Sequence, residues 1–186
     1  MTNEEATLAV VDSLTALRVP YMLVGSLATN FYGVPRSTQD VDIVVQLPPG
    51  ALAQITQRLG PAFHRDPQAS FEAFTATTRH AFHVVGSSFL VELFQLSDDP
   101  HDQQRFARRR PVRLFGREVF LPSAEDMIIT KLRWAASGNR QKDLDDVRNV
   151  ILVQGNRIDW DYVHAWTERH GTSQLLDSLR AMPGGE

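Results

Sequence analysis

Cysteine is absent from the 186 residues, which excludes disulfides, thiolate metal ligands and a cysteine nucleophile. A chain without cysteine fits a reducing compartment. No apolar stretch approaches the roughly 18 residues of a membrane span. The start, Met1-Thr2-Asn3-Glu4-Glu5, is acidic where a signal peptide needs basic residues followed by an apolar run. An excess of positive charge is also missing. The 19 Lys and Arg face 22 Asp and Glu, leaving a net charge of −3, which excludes a globally basic nucleic-acid coat but not a local basic patch. Repeats and low-complexity segments are lacking as well. The expectation is a soluble, cytoplasmic protein with no membrane association, folded as one domain over residues 1–186.

What is present reads as a mixed α/β front half, residues 1–121, followed by a helical part, residues 122–186. Thr2 to Glu5 has capping-box spacing, and Leu8, Val11, Leu14 and Leu17 follow at helical intervals before Pro20. Tyr21 to Val24 is a short apolar run of the kind a buried strand shows. Ser26 to Tyr32 reads as a short helix broken at Gly33-Val34-Pro35. Asp40 to Gln46 alternates and is β-branched, hence a strand, and Ala51 to Leu59 reads as a helix. Pro61 to Thr78 is ambiguous, with Phe63, Phe71 and Phe74 suggesting that part of it packs. His80–Val85 and Phe89–Leu96 form one strand pair across Gly86-Ser87-Ser88; Val112–Leu114 and Val119–Leu121 form another across Gly116-Arg117. Ser123 caps a helix that Ser137-Gly138-Asn139 ends, Gln141 to Val153 resumes helical periodicity, and Asp159 caps a helix ending at Gly171.

Asp-x-Asp occurs three times, at Asp40/Asp42, Asp143/Asp145 and Asp159/Asp161, and secondary structure separates the three. Residues two apart in a helix diverge, so Asp143 and Asp145 cannot chelate together. Asp159/Asp161 sits at a helix start, where acids complement the dipole. Asp40 and Asp42 share one face of a strand about 7 Å apart, with Val41, Ile43 and Val45 turned to the other face. Two carboxylates at the head of a buried strand are costly unless compensated. Carboxylate oxygens suit Mg²⁺, and a pair so spaced can bracket two ions roughly 4 Å apart for in-line phosphoryl displacement. Taken alone, the pair still favours an ordinary strand end with solvated acids, or with one acid paired to Arg36.

Gly25-Ser26 shifts that balance. A strand that ends in Gly-Ser and opens a helix brings backbone N–H groups and a hydroxyl up to a phosphate. Neither a P-loop Gly-Lys-Ser/Thr nor a dinucleotide Gly-x-Gly-x-x-Gly occurs in the chain. A phosphate cradle followed, after thirteen residues, by a paired-acid strand is a specific combination.

Gly25-Ser26 with Asp40-Val41-Asp42 resembles the signature of the nucleotidyltransferase superfamily typified by DNA polymerase beta. The wider run from Val24 through Tyr32-Gly33-Val34-Pro35-Arg36 to Val44 resembles its bacterial toxin branch, the abortive-infection (AbiEii/MenA-like) enzymes of type IV toxin–antitoxin systems. Leu121 to Asp126, Lys131-Leu132 and Arg140 to Asp146 are similar to that branch's second half. The resemblance implies an α/β (α+β) fold with a small mixed sheet. It also implies Mg²⁺, as two ions at a paired-acid site, a nucleoside triphosphate substrate, and transfer of NMP to an acceptor hydroxyl. Carried over residue by residue, Gly25 and Ser26 hold the triphosphate and Asp40 and Asp42 bind metal. Glu92 is the candidate third carboxylate and general base, being the one acid in the apolar run Phe89 to Phe94. Lys131 is expected to reach a phosphate along an apolar helix face, the alternative being a stem that snorkels to solvent. Asp143 matches the family's late acid, with pairing to neighbouring Lys and Arg nearly as strong a reading. Arg36 is expected either to touch the triphosphate or to neutralise the acid pair.

Arg105, Arg108, Arg109, Arg110, Arg113 and Arg117 crowd into thirteen positions. Such a patch suits an RNA backbone, with Arg108, Arg109 and Arg110 as contacts; a solvated loop or the seat of an acidic partner is the even alternative. The six His and three Trp read as structural. The expected function is Mg²⁺-dependent nucleotidyl transfer to a tRNA or other RNA end, toxin-like and paired with an antitoxin. The alternatives are transfer to a protein or aminoglycoside-type hydroxyl, or a non-catalytic nucleotide-binding module of the same fold.

Overall fold

Local chemistry starts the chain. In the computed structural model, which describes residues 1–72, 76–138 and 140–181, helix α1 spans Asn3–Ala16. Glu5 N–H donates to Thr2 Oγ1 (3.1 Å) and Thr2 N–H to Glu5 Oε2 (2.8 Å), closing the capping box. Then follow β1 (Tyr21–Val24), α2 (Gly25–Tyr32), β2 (Asp40–Val45), α3 (Ala51–Leu59), a 3₁₀ turn (Gly60–Ala62), β3 (Phe63–Arg65) and β4 (Ser70–Glu72). After these come β5 (Thr77–Val84), β6 (Leu90–Gln95), α4 (Pro100–Ala107), β7 (Arg110–Leu114) and β8 (Arg117–Leu121). The chain continues with α5 (Ala124–Gly138), α6 (Gln141–Gln154), a second 3₁₀ turn (Gly155–Arg157), α7 (Trp160–His170) and α8 (Ser173–Ala181). Phe74 and Asn139 lie outside the described residues.

Two compact units emerge: Met1–Leu27 with Ser37–Leu121, and Ala28–Arg36 with Pro122–Glu186. The first is built on a mixed sheet in the order β1-β2-β6-β5-β3, with β4 also paired to β5. β2 and β6 run parallel in register, and the other neighbours are antiparallel. One sheet face is apolar: Val41, Ile43, Val45, Val91, Leu93, Phe82 and Val84 are all buried. Helices α1 and α3 pack on each other and add Val10, Val11, Leu14, Ile55 and Leu59 to this unit's buried residues. On the opposite face Met22, Val24 and Val44 cluster with Leu96, Phe94 and Phe106 of α4. That face is therefore apolar at one end. Its other end carries the acids.

The second unit buries Ile128, Ile129, Leu132, Val147, Val150, Val163, Trp166 and Leu176 from α5 to α8, with Tyr32 packed against them. Tyr32 Oη donates to the Pro122 carbonyl (2.8 Å) and Gln154 Nε2 to the Tyr32 carbonyl (2.6 Å), so the 28–36 segment is fastened to the helices.

Three points are added to the sequence reading. Helix α4 falls in a stretch that the sequence reading assigns to no element, and of the six clustered arginines it carries only Arg105. Its buried face is His101, Asp102, Arg105 and Phe106, so apolar periodicity is absent, and the signal is the Asp99 cap followed by Pro100. Phe63 packs at 7% exposure, whereas Phe71 on short strand β4 is 70% exposed. Glu92 stands on β6, an interior strand between β2 and β5.

Candidate active site

In the sheet unit, β2 presents Asp40 and Asp42 on one face because side chains two apart share a face. The parallel register sets Asp42 opposite Glu92 and Asp40 opposite Leu90. Registered neighbours in a parallel pair point the same way, so Asp42 and Glu92 project side by side from strands about 4.8 Å apart. Three carboxylates from two adjacent strands thus share one face, at the N-terminal ends of β2 and β6. Thr38 Oγ1 donates to Asp40 Oδ1 at 2.5 Å and holds that carboxylate from the residue two before the strand.

Val24 is registered with Asp42 on the other side, which brings Gly25 up to the Asp42 carboxylate. Gly25 has φ +62°, the left-handed region that favours glycine. A Cβ built there would run into Asp42 Oδ2. Glycine is required at this position twice over, for its backbone angle and for the carboxylate's room. The Asp42 oxygen lies against the first turn of α2, where backbone N–H groups favour negative charge. Ser26, the second residue of α2, is buried at 8% exposure. The donor set is hard oxygen on one face, with the cradle kept open by a missing side chain, and it fits a divalent cation of the Mg²⁺ type.

Glu92 also faces a cation that the sequence reading did not single out. Arg79 on β5 reaches diagonally across the sheet, with Nη1 3.0 Å from Glu92 Oε1 and Nε donating to Ser70 Oγ at 2.8 Å.

The helical unit gathers another charged cluster. Lys131 Nζ lies 2.7 Å from Asp143 Oδ1 and 3.0 Å from Asp146 Oδ2. Arg36 grips Asp146 with two bonds, Nε to Oδ1 and Nη2 to Oδ2, each 3.0 Å. Arg140 Nε lies 3.1 Å from Asp143 Oδ2. Lys131, Asp143 and Asp146 are at most 4% exposed. Burial pushes the Asp146 carboxyl up, but the hydrogen bonds from Arg36 and the charge of Lys131 outweigh it and hold it below the usual range. Lys131 therefore neither snorkels to solvent nor stands apart from other charges. Arg36 pairs with Asp146, a partner the sequence reading did not name for it.

The arginine cluster divides. Arg105 is buried and paired with Asp102 at 2.8 Å. Arg109 donates Nη1 to the Phe106 carbonyl (2.6 Å) and lies over the Phe106 and Phe120 rings. Arg117 Nε is 3.7 Å from Asp12 Oδ1. Arg110 and Arg113 are exposed. A grouping missed in the sequence is Asp99, His101 and Asp102, whose ligand atoms lie within 4.8 Å of one another. Asp99 Oδ1 there caps α4 by accepting from His101 N–H and Asp102 N–H, and Asp102 Oδ2 accepts from Ser97 Oγ. Local capping and the Arg105 pair account for both acids. No helix among the described residues is long and apolar enough to cross a membrane.

A small mixed sheet flanked by helices, with Gly-Ser opening the helix after its first strand and paired acids on the next, defines a nucleotidyltransferase fold. Residues 3–181 match the family described as "Nucleotidyltransferase of unknown function (DUF6036)", and the chain belongs to that family. Its fold is similar to that of the ANT(2")-Ia structure in complex with adenylyl-2"-tobramycin, at TM-score 0.65 and 15% identity over 91% of this chain and 99% of that one. It is also similar to an antigenic nucleotidyltransferase-like protein from Paracoccidioides brasiliensis, at TM-score 0.59 and 18% identity over 99% and 95% of the two chains. The lincosamide antibiotic adenylyltransferase LnuA, lincomycin-bound, gives TM-score 0.51 and 12% identity over 81% and 96%. No curated protein matches the sequence.

Proposed function

We propose that the chain transfers an NMP from a nucleoside triphosphate to an acceptor hydroxyl with release of pyrophosphate. One observation carries the reading: Asp42 and Glu92 are direct neighbours on parallel strands, with Asp40 on the same face and Gly25 flush against Asp42. In this reading Asp40, Asp42 and Glu92 hold the divalent ions. Bound there, Mg²⁺ supplies charge stabilisation for the attacking and leaving oxygens of an in-line displacement. Gly25 and Ser26 receive the triphosphate on backbone N–H groups and a hydroxyl at the start of α2. Glu92 takes the proton of the acceptor hydroxyl as its oxygen bonds to the α-phosphorus. The bond from that phosphorus to the bridging oxygen breaks, and pyrophosphate departs. Within the helical unit Arg36 grips Asp146 with its side chain 30% exposed, and Lys131, itself paired with Asp143, holds Asp146 in turn.

For the acceptor, an RNA end draws on Arg108 and Arg110 and on the resemblance to the toxin branch, and brings with it an antitoxin partner. A small hydroxylated compound is the second reading. It is favoured by the internal engagement of Arg105 and Arg109. The neighbours whose structures hold an adenylylated tobramycin and lincomycin point the same way.

Label transfer from each α-³²P-labelled NTP, with Mg²⁺, to bacterial RNA and separately to an aminoglycoside and lincosamide panel tests both. Asp42-dependent labelling of either acceptor is the expected result. Labelling that survives Asp42→Asn would overturn the assignment of the site, and absence of labelling from RNA, antibiotic and protein acceptors alike would overturn the enzymatic reading in favour of a nucleotide-binding module.

A further inference from the structure

Three carboxylates on one face repel one another unless a cation relieves them. The fold supplies such a cation from β5. Arg79 spans a diagonal, since its registered partner on β6 is Phe94 while Glu92 is opposite Ala81. Its guanidinium lies 3.0 Å from Glu92 Oε1, with the two side chains 36% and 13% exposed. Ser70, registered with Arg79 on the other side, accepts from Nε at 2.8 Å. The arginine is thus held from two directions. Losing Glu92 leaves the Ser70 bond in place.

We propose that Arg79 competes with the divalent ion for Glu92. In the ion-free site the guanidinium occupies the carboxylate oxygen that the metal needs, and metal binding exchanges one cation for the other. The inference rests on the proposed role of Asp40, Asp42 and Glu92. Because Ser70 retains Arg79 after the exchange, a unit positive charge stays roughly 5 Å from a doubly charged ion. The site is partly exposed, so a water-like dielectric applies, and salt near 0.15 M screens about half of the repulsion. The remaining penalty corresponds to about five-fold in ion affinity. Arg79 therefore tunes the site towards weak, exchangeable metal binding, and Glu92 becomes available to a hydroxyl proton only after the guanidinium has been displaced.

The test is Mn²⁺ binding to the full chain without nucleotide, read by water-proton relaxation at about 0.15 M and about 0.02 M KCl. Arg79→Met, which keeps the stem and removes the charge, is expected to bind Mn²⁺ about five-fold more tightly, with the gap widening at the lower salt. Arg79→Lys, which keeps the charge, is expected to stay within about two-fold of wild type. Arg79→Gln serves as a second neutral variant should Met disturb β5. Unchanged or weaker Mn²⁺ binding in both neutral variants, with Asp42→Asn still abolishing binding, overturns the competition while the site reading stands. Wild-type Mn²⁺ binding that Asp42→Asn leaves intact overturns the site reading and the competition together.

Discussion

Replacing Gly25 by alanine separates two costs that the fold superimposes. The first is conformational. A non-glycine residue in the left-handed region costs about 1–2 kcal/mol, partly offset by the lower entropy of the unfolded alanine chain, so about 1 kcal/mol of stability is expected to go. The second is local, because the new Cβ claims the space of Asp42 Oδ2 and the carboxylate must swing away from Glu92. Displacing a reacting group by on the order of 1 Å costs about 100-fold in rate. The chain provides its own control in Gly50, which has φ +81° at the head of α3 and nothing within 4 Å of an added Cβ. Gly50→Ala thus reports the backbone cost alone. Urea unfolding of both variants, with Mn²⁺ affinity and label transfer measured alongside, is the assay. Similar stability losses are expected, with metal affinity and transfer collapsing only in Gly25→Ala. Equal metal affinity in the two alanine variants would refute the reasoning, since the Asp42 carboxylate would then not depend on the missing side chain.

Other outcomes follow from the same geometry. Glu92→Gln should abolish transfer while leaving the denaturation midpoint within about 0.5 kcal/mol of wild type in stability, because the lost Arg79 pair is partly exposed; urea titration and label transfer read the two effects. Lys131→Met should destabilise the fold by about 3 kcal/mol, since Asp143 and Asp146 stay buried with Arg140 and Arg36 left to compensate them; an unchanged urea midpoint would contradict this. The depressed carboxyl of Asp146 gives a signed pH dependence. Its contribution is fully present above the ordinary value of 3.8 and is lost as pH falls through the lower folded-state value. The stability difference between wild type and Asp146→Asn should therefore be flat above that value and shrink below it, as acid-titrated unfolding curves would record. In the hairpin, Arg109→Ala should cost about 1 kcal/mol through its lost carbonyl bond and ring contacts, and Arg110→Ala close to nothing, by thermal unfolding.

Much of this was legible because the informative residues obey short-range rules. The capping box at Thr2 and Glu5, the alternation of Asp40 to Val45 and the strand pair around Gly86 all follow from local spacing, and the structure has each of them. That Asp40 and Asp42 share a face followed from strand periodicity alone. Glu92 was singled out as a lone acid in an apolar run, yet its position beside Asp42 depends on a parallel pairing that no local pattern encodes. Arg79 was missed for the same reason, since its reach to Glu92 is a diagonal across two strands. Helix α4 escaped because its inward face is polar. Sequence spacing brought Asp143 and Asp146 together correctly, but it gave no sign that Lys131 would be buried between them and share its protons with both.

The pairing of β2 with β6 also has a consequence for how the chain comes to life. Asp42 and Glu92 meet only after the intervening chain, which holds α3, β3, β4 and β5, has looped back to seat β6 between β2 and β5. Contacts this remote in sequence form late, after loop-closure entropy has been overcome. On the proposed reading of the site, affinity for a divalent ion then belongs to the finished sheet, in which Asp42 and Glu92 are neighbours. An ion bound there shifts the folding equilibrium towards the native state by mass action. Metal supply would then govern the lifetime of the protein as well as its chemistry.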